Sequence, residues 1–104
     1  MSETNMTIDD WRAGIDSIDE ELLRLLNRRA QLVANIAALK AARAMPLRDA
    51  ERESAVLERA RCAVVSPLDE AGMSRIFQRI LVESRRVQSR VIAEAKGARR
   101  AKGE

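Results

Sequence analysis

Between Ile8 and Arg43 apolar residues recur at seven-residue spacing in two columns, and no proline interrupts them. One column reads Ile8, Ile15, Leu22, Arg29, Ile36; the other reads Trp11, Ile18, Leu25, Leu32, Leu39. Nine of the ten positions are apolar, and Arg29 is the exception. This pattern predicts one long helix over Ile8 to Arg43, capped by Thr7, with Asp9 and Asp10 facing the positive end of its dipole. At ~1.5 Å per residue such a helix is on the order of 50 Å long. A 104-residue chain is too short to cover that stripe by itself. The stripe therefore asks for a partner helix, most simply from a second copy.

The remainder of the chain also reads as helical. Pro46 disfavours helix at Met45 and ends the first run. A shorter helix follows from Asp49, a good N-cap, to about Ala63. The Val65-Ser-Pro-Leu68 break, with Ser66 and Pro67 as cap and first-turn residue, predicts a third helix from about Pro67 to Ala95. Its apolar stripe is Met73, Ile76, Phe77, Ile80, Leu81, Val87 and Val91. Residues 96–104 lack apolar periodicity and read as a disordered basic tail. The expected fold class is all-α: three helices per chain, long, short and long, in an intertwined homodimer. The expected domain spans residues 1–95.

Composition removes several kinds of chemistry. There is no histidine and one cysteine, Cys62. The usual zinc sites, serine triads and Cys–His pairs are thereby excluded, as is an intrachain disulfide. The start of the chain, Met1–Thr7, is polar and does not read as a signal peptide. No run approaches the ~18 apolar residues of a membrane span. A cytoplasmic protein without membrane attachment is expected. The formal charge of +3 is uneven. Residues 85–104 hold seven Lys/Arg against two Glu, a net +5, whereas residues 1–84 hold twelve basic and fourteen acidic residues, a net −2.

The informative positions are polar residues on apolar faces. Arg29 interrupts the first helix, and Lys40, eleven residues on, shares its face. On the third helix Ser84 and Gln88, one turn apart, fall on the stripe. Taken singly, each has a plain structural reading. Arg29 can snorkel or complete an ion pair, Ser84 can bond its own backbone, and Gln88 can face solvent. Taken together, two cations turned inward need an anion, from Asp19, Asp49, Glu53 or a ligand, because an unpaired buried cation costs several kcal/mol.

These residues resemble a known family. The run Arg12-x-x-Ile15-Asp-x-Ile18-Asp19-x-x-Leu22-Leu-x-Leu25-Leu-x-x-Arg29 is similar to the first helix of the all-helical (AroQ-class) chorismate mutases. The likeness continues through Lys40, Pro46-Leu-Arg48-Asp49-x-x-Arg52-Glu53 and Phe77-x-x-Ile80-x-x-x-Ser84-x-x-x-Gln88, covering roughly residues 8 to 92. What the resemblance implies is a Claisen rearrangement of chorismate to prephenate, on the route to phenylalanine and tyrosine, with no cofactor and no metal. It implies an interlocked homodimer whose two sites each draw on both chains. Arg29 and Arg12 would grip the substrate carboxylates, Arg12 reaching in from the other subunit. Lys40 and Gln88 would donate to the ether oxygen of the breaking bond. Glu53 would bind the ring hydroxyl with help from the Asp49 backbone, and Arg52 and Ser84 would complete the polar lining. The spacing agrees with sharing, since Arg12 and Arg29 are seventeen residues, or roughly 25 Å, apart along one helix.

Three other readings compete. An isochorismate-pyruvate lyase uses a similar fold and pocket, although the Pro46-to-Glu53 segment favours the mutase. A catalytically silent helical dimer could regulate a shikimate-pathway enzyme. Nucleic-acid binding through the basic end is disfavoured, because that charge comes with no aromatic interleaving and no reading motif. Neither nucleic acid nor membrane is an expected partner.

Overall fold

The computed structural model describes residues 5–103, with side chains to residue 101. The residues before Asn5, part of the polar start read as lacking a signal peptide, lie outside that range, as does Glu104. Three α-helices account for most of the described chain: α1 (Ile8–Ala42), α2 (Ala50–Ala63) and α3 (Glu70–Gly103). No strand occurs among the described residues.

Each helix begins at a side chain that satisfies orphan N–H groups. At α1, Thr7 Oγ1 accepts from the Asp10 N–H at 3.1 Å, and Asp10 returns a carboxylate oxygen to the Thr7 N–H at 2.9 Å. This is a reciprocal capping box with aspartate in place of the usual glutamate. The Thr7 backbone and hydroxyl hydrogen bonds hold the Asp10 carboxyl below its ordinary value. At α2, Asp49 has extended backbone angles and accepts the Arg52 N–H at 2.9 Å, as its sequence position predicts.

The third cap differs from expectation. Helix α3 starts at Glu70, with Asp69 rather than Ser66 as its cap. Asp69 Oδ1 accepts the Gly72 N–H at 2.6 Å, and its carbonyl accepts the Met73 N–H at 3.0 Å. Ser66 and Pro67 form part of the turn before the helix. The carboxylate comes so close that a Cβ at position 72 would lie 2.9 Å from it, which suits glycine there. The far end of α3 also differs. Apolar periodicity places it near Ala95, yet the helix continues to Gly103. Alanine, lysine and arginine between residues 95 and 102 are strong helix formers in their own right, and a periodicity argument is blind to that.

Helix α1 closes with a Schellman motif. The Met45 N–H reaches the Lys40 carbonyl at 2.9 Å, and the Ala44 N–H reaches the Ala41 carbonyl at 3.3 Å. Ala44 carries the left-handed turn, at φ 54°. Pro46 follows directly, where the helix cannot resume.

The chain divides into two compact units, Met1–Leu32 and Val33–Glu104. The first is most of α1, a helix with no second element of its own. Its Ile8, Trp11, Ile15, Ile18, Leu22 and Leu25 are 48–68% exposed. In the second unit α2 packs on α3. Val56 and Ala60 of α2, Leu81 of α3 and Ala37 of α1 are buried. Along α3 a half-buried face runs through Met73, Phe77, Ile80, Ser84, Val87, Gln88, Val91, Ile92 and Ala95. Ile76 departs from the predicted stripe, being 47% exposed. It is turned ~100° from Phe77, away from the packed face.

The left-handed alanine generates a stability prediction. A Cβ in that conformation costs roughly 1–2 kcal/mol, partly offset because glycine loses more backbone entropy on folding. Ala44→Gly should therefore stabilise the protein by about 0.5–1 kcal/mol, read as a higher denaturation midpoint in urea with an unchanged slope.

Candidate active site

The candidate residues are held by three local arrangements. The first is the last turn of α1. Lys40 is half-buried, and its Nζ donates to the Leu47 carbonyl at 3.4 Å. The ammonium is thus held against the loop that leads into α2. Its partner is a backbone carbonyl rather than the Asp49 or Glu53 carboxylate the sequence offered.

The second is the first turn of α2. The Asp49 side chain is committed to capping, and its carbonyl accepts the Glu53 N–H at 3.0 Å. As the residue before the first helical one, Asp49 has a backbone N–H outside the helical ladder. Arg52 is exposed on the same turn. Glu53 is half-buried and flanked by two guanidinium groups. Arg48 lies 3.7 Å from its Oε1 and Arg85 lies 3.7 Å from its Oε2. Both contacts are ion pairs too long to be hydrogen bonds. The carboxylate is electrostatically held, and its lone pairs retain capacity for a donor from a ligand.

The third is the polar interruption of α3. Ser84 and Gln88 are half-buried on the face shared with Phe77 and Val91, as their spacing requires. Ser84 Oγ donates to the Ile80 carbonyl at 2.8 Å, the back-bonded arrangement that a helix-interior hydroxyl favours.

Arg85 is a residue that sequence reasoning missed. Arg86 faces outward, pairing with Glu83 at 2.7 Å. Arg85 instead turns towards α2 and ties Glu53 to the helix bearing Ser84. The available signal was its position one turn after the buried Leu81. A groove between α2 and α3 is lined by Glu53, Arg85, Arg48, Leu57 and Leu81. Lys40, Ser84 and Gln88 do not line it, so this groove contains only one residue of the candidate set.

Arg12 and Arg29 both belong to the first unit, Arg12 exposed and Arg29 half-buried. Their separation along α1 is roughly 25 Å. Cys62 is exposed and beside Glu58, which pushes its thiol up, the direction opposite to that of an activated nucleophile. Among the described residues no group of three or more His, Cys, Asp or Glu is placed to hold a metal ion. No helix is long and apolar enough to cross a membrane.

The chain is similar to known proteins. The family model described as chorismate mutase type II matches residues 11–89, a span that includes Arg12, Arg29, Lys40, Asp49, Arg52, Glu53, Ser84 and Gln88. The chain belongs to the chorismate mutase type II family. A bifunctional chorismate mutase/prephenate dehydratase of Neisseria gonorrhoeae is 40% identical over 83 residues, 76% of this chain and 22% of that protein. The protein of the same name from Buchnera aphidicola is 35% identical over 83 residues, 79% of this chain and again 22% of its own length. This chain therefore spans about a fifth of those two relatives. Among solved structures, a chorismate mutase (Form II) from Thermus thermophilus superposes with a TM-score of 0.76 at 28% identity. That match covers 80% of this chain and 94% of the other. Family membership and the three-helix fold thus rest on sequence and on structure.

Proposed function

We propose that the protein is a chorismate mutase, converting chorismate to prephenate by an intramolecular Claisen rearrangement, and that it works as a homodimer with Arg12 supplied to the other subunit's site. The observation that carries this reading is the family match from residue 11 to 89. Every polar interruption of the apolar faces falls inside it.

The reaction suits the inventory of this chain. One C–O bond breaks while one C–C bond forms within a single molecule, so neither a nucleophile nor a proton transfer is needed. The enzyme has two tasks. It holds the flexible substrate in the compact conformer that brings the reacting carbons together. It also stabilises the negative charge that develops on the ether oxygen, using donors already in place in a site with little water. Arg29 and the second subunit's Arg12 hold the two carboxylates. Lys40 and Gln88 donate to the ether oxygen. Glu53, poised between two guanidinium groups without a tight hydrogen bond to either, accepts from the ring hydroxyl, and the Asp49 N–H donates to the same group. Arg52 and Ser84 complete the lining.

Two observations support the homodimer. The first unit is a single helix whose apolar stripe is half exposed. Burying the exposed half of each stripe residue is worth about 1 kcal/mol, half the value for complete burial. In addition, no small dicarboxylate spans the distance between Arg12 and Arg29 of one helix. If both bind one substrate, two chains meet at it.

Pure protein incubated with chorismate, without added metal or cofactor, should give prephenate, identified by chromatography. Arg29→Ala and Lys40→Ala should each lower kcat/KM by about 10²–10³ or more while leaving the helical signal in circular dichroism unchanged. A folded dimer without turnover would sink this reading and turn attention to isochorismate as substrate. Gln88 supplies a separate check. An amide donates at any pH, whereas a carboxyl there would have to be protonated. Wild-type kcat should change little between weakly acidic and neutral pH, whereas Gln88→Glu should lose activity as pH rises through the same range.

A further inference from the structure

The first half of α1 and the last part of α3 carry opposite charge. From Ile8 to Glu21, α1 has six acidic residues against Arg12 alone, a net −5. From Arg85 to Gly103, α3 has seven basic residues against Glu94 alone, a net +6. The family match ends at residue 89, so the final 14 residues of α3 lie beyond it. Asp9, Asp16, Asp19, Glu20, Glu21, Arg90, Lys96, Arg99 and Arg100 take part in none of the ion pairs found among the described residues. The charge is also ordered along each helix. Asp9 lies three residues before Arg12, on the same face of α1. Arg99 lies eleven residues after Gln88, close to three full turns, and Lys96 flanks it.

The basic end of α3 also borders a small groove. Ala41, Met45, Leu47, Ile92 and Ala95 line it together with Lys96 and Arg99. Its floor is apolar and its rim is cationic. The first turn of α1 offers the complementary residue types: Ile8, 68% exposed, stands next to the exposed Asp9.

The occupant follows from symmetry. On the reading of a site shared between two chains, one copy's Arg12 lies beside the other copy's Lys40 and Gln88. Two-fold symmetry requires the converse contact as well. Two α1 helices that exchange such contacts run antiparallel. Moving from Arg12 back to Asp9 and Ile8 on one copy then means moving past Lys40 towards Ala41 and Met45 on the other. That is where the groove lies. Asp9 and Ala41 of one helix are 32 residues apart, roughly 48 Å, so the match is between copies.

We propose that the basic end of α3, through Lys96 and Arg99, latches onto the first turn of a second copy's α1, with Ile8 in the groove and Asp9 on its cationic rim, and so seats that copy's Arg12 in the site. Lys96, Arg99 and Asp9 are positioning residues, since they act through Arg12. The latch rests on the shared-site reading above, but its test needs no substrate.

One chain carries Asp9→Lys and a second carries Lys96→Glu with Arg99→Glu. Each variant alone brings like charges together at both latches of its homodimer. In the mixed dimer both latches are restored with opposite charges. The two are mass-labelled, mixed in equal amounts, allowed to exchange at low salt, and weighed by native mass spectrometry. The expected result is a mixed dimer well above the half that random exchange gives, with the excess shrinking as salt is raised. Alone, each variant should dimerise about tenfold more weakly than wild type at low salt. Random proportions at low salt would overturn the latch, and so would a wild-type protein that stays monomeric. Random proportions of the two variants, beside a wild type that makes prephenate, would leave the mutase reading standing. A charge-selected dimer without turnover on chorismate would retain the latch and remove the mutase.

Discussion

A helix of 35 residues whose apolar stripe is left about half exposed needs another surface to cover it, and the reading of the site depends on that. The first unit has no second element against which to bury Ile15, Ile18 or Leu22. Isolated helices are marginal in water, and most helical stability in proteins comes from packing one face. The same constraint bears on function. Residues distributed along a rigid rod cannot converge on a small molecule, so Arg12 and Arg29 become useful together only when a second rod lies alongside. An assembly that covers the stripe can also complete the site.

The local arrangements in the second unit set charged and polar side chains on a largely helical surface. Lys40 and the two arginines beside Glu53 are held by weak, spread-out contacts rather than by tight pairs. Lys40 rests on a loop carbonyl at 3.4 Å. Glu53 stands between Arg48 and Arg85 at 3.7 Å from each. Such contacts orient a side chain without consuming its full hydrogen-bonding capacity, and a ligand can complete the set. The exposure of these pairs means that they contribute little to folding. Their value lies in orientation.

Much of this was legible in the sequence, for identifiable reasons. The heptad columns and the caps at Thr7 and Asp49 are local signals, and they appear where the sequence puts them. Ser84 and Gln88 lie on the half-buried face of α3 because helical spacing puts them in line with Phe77 and Val91. The misreadings have physical causes too. Ser66 and Asp69 are both competent caps, and only the geometry of the preceding turn decides between them. The end of α3 rests on helix propensity, which apolar periodicity does not register. The partner of Lys40 is a backbone carbonyl, and a sequence displays side chains only. Arg85 faces α2 because Glu53 draws it there, a contact between residues 32 positions apart in the chain.

The central claim is that each site takes Arg29 from one chain and Arg12 from another, and subunit complementation tests it most directly. Arg12→Ala and Arg29→Ala proteins, each inactive on chorismate alone, are mixed in equal amounts and allowed to exchange subunits. Random exchange makes about half the dimers mixed, and each mixed dimer has one site with both arginines intact. A site shared in this way should recover about a quarter of wild-type activity. A mixture that stays as inactive as its parents, with mixed dimers shown to be present, would contradict it.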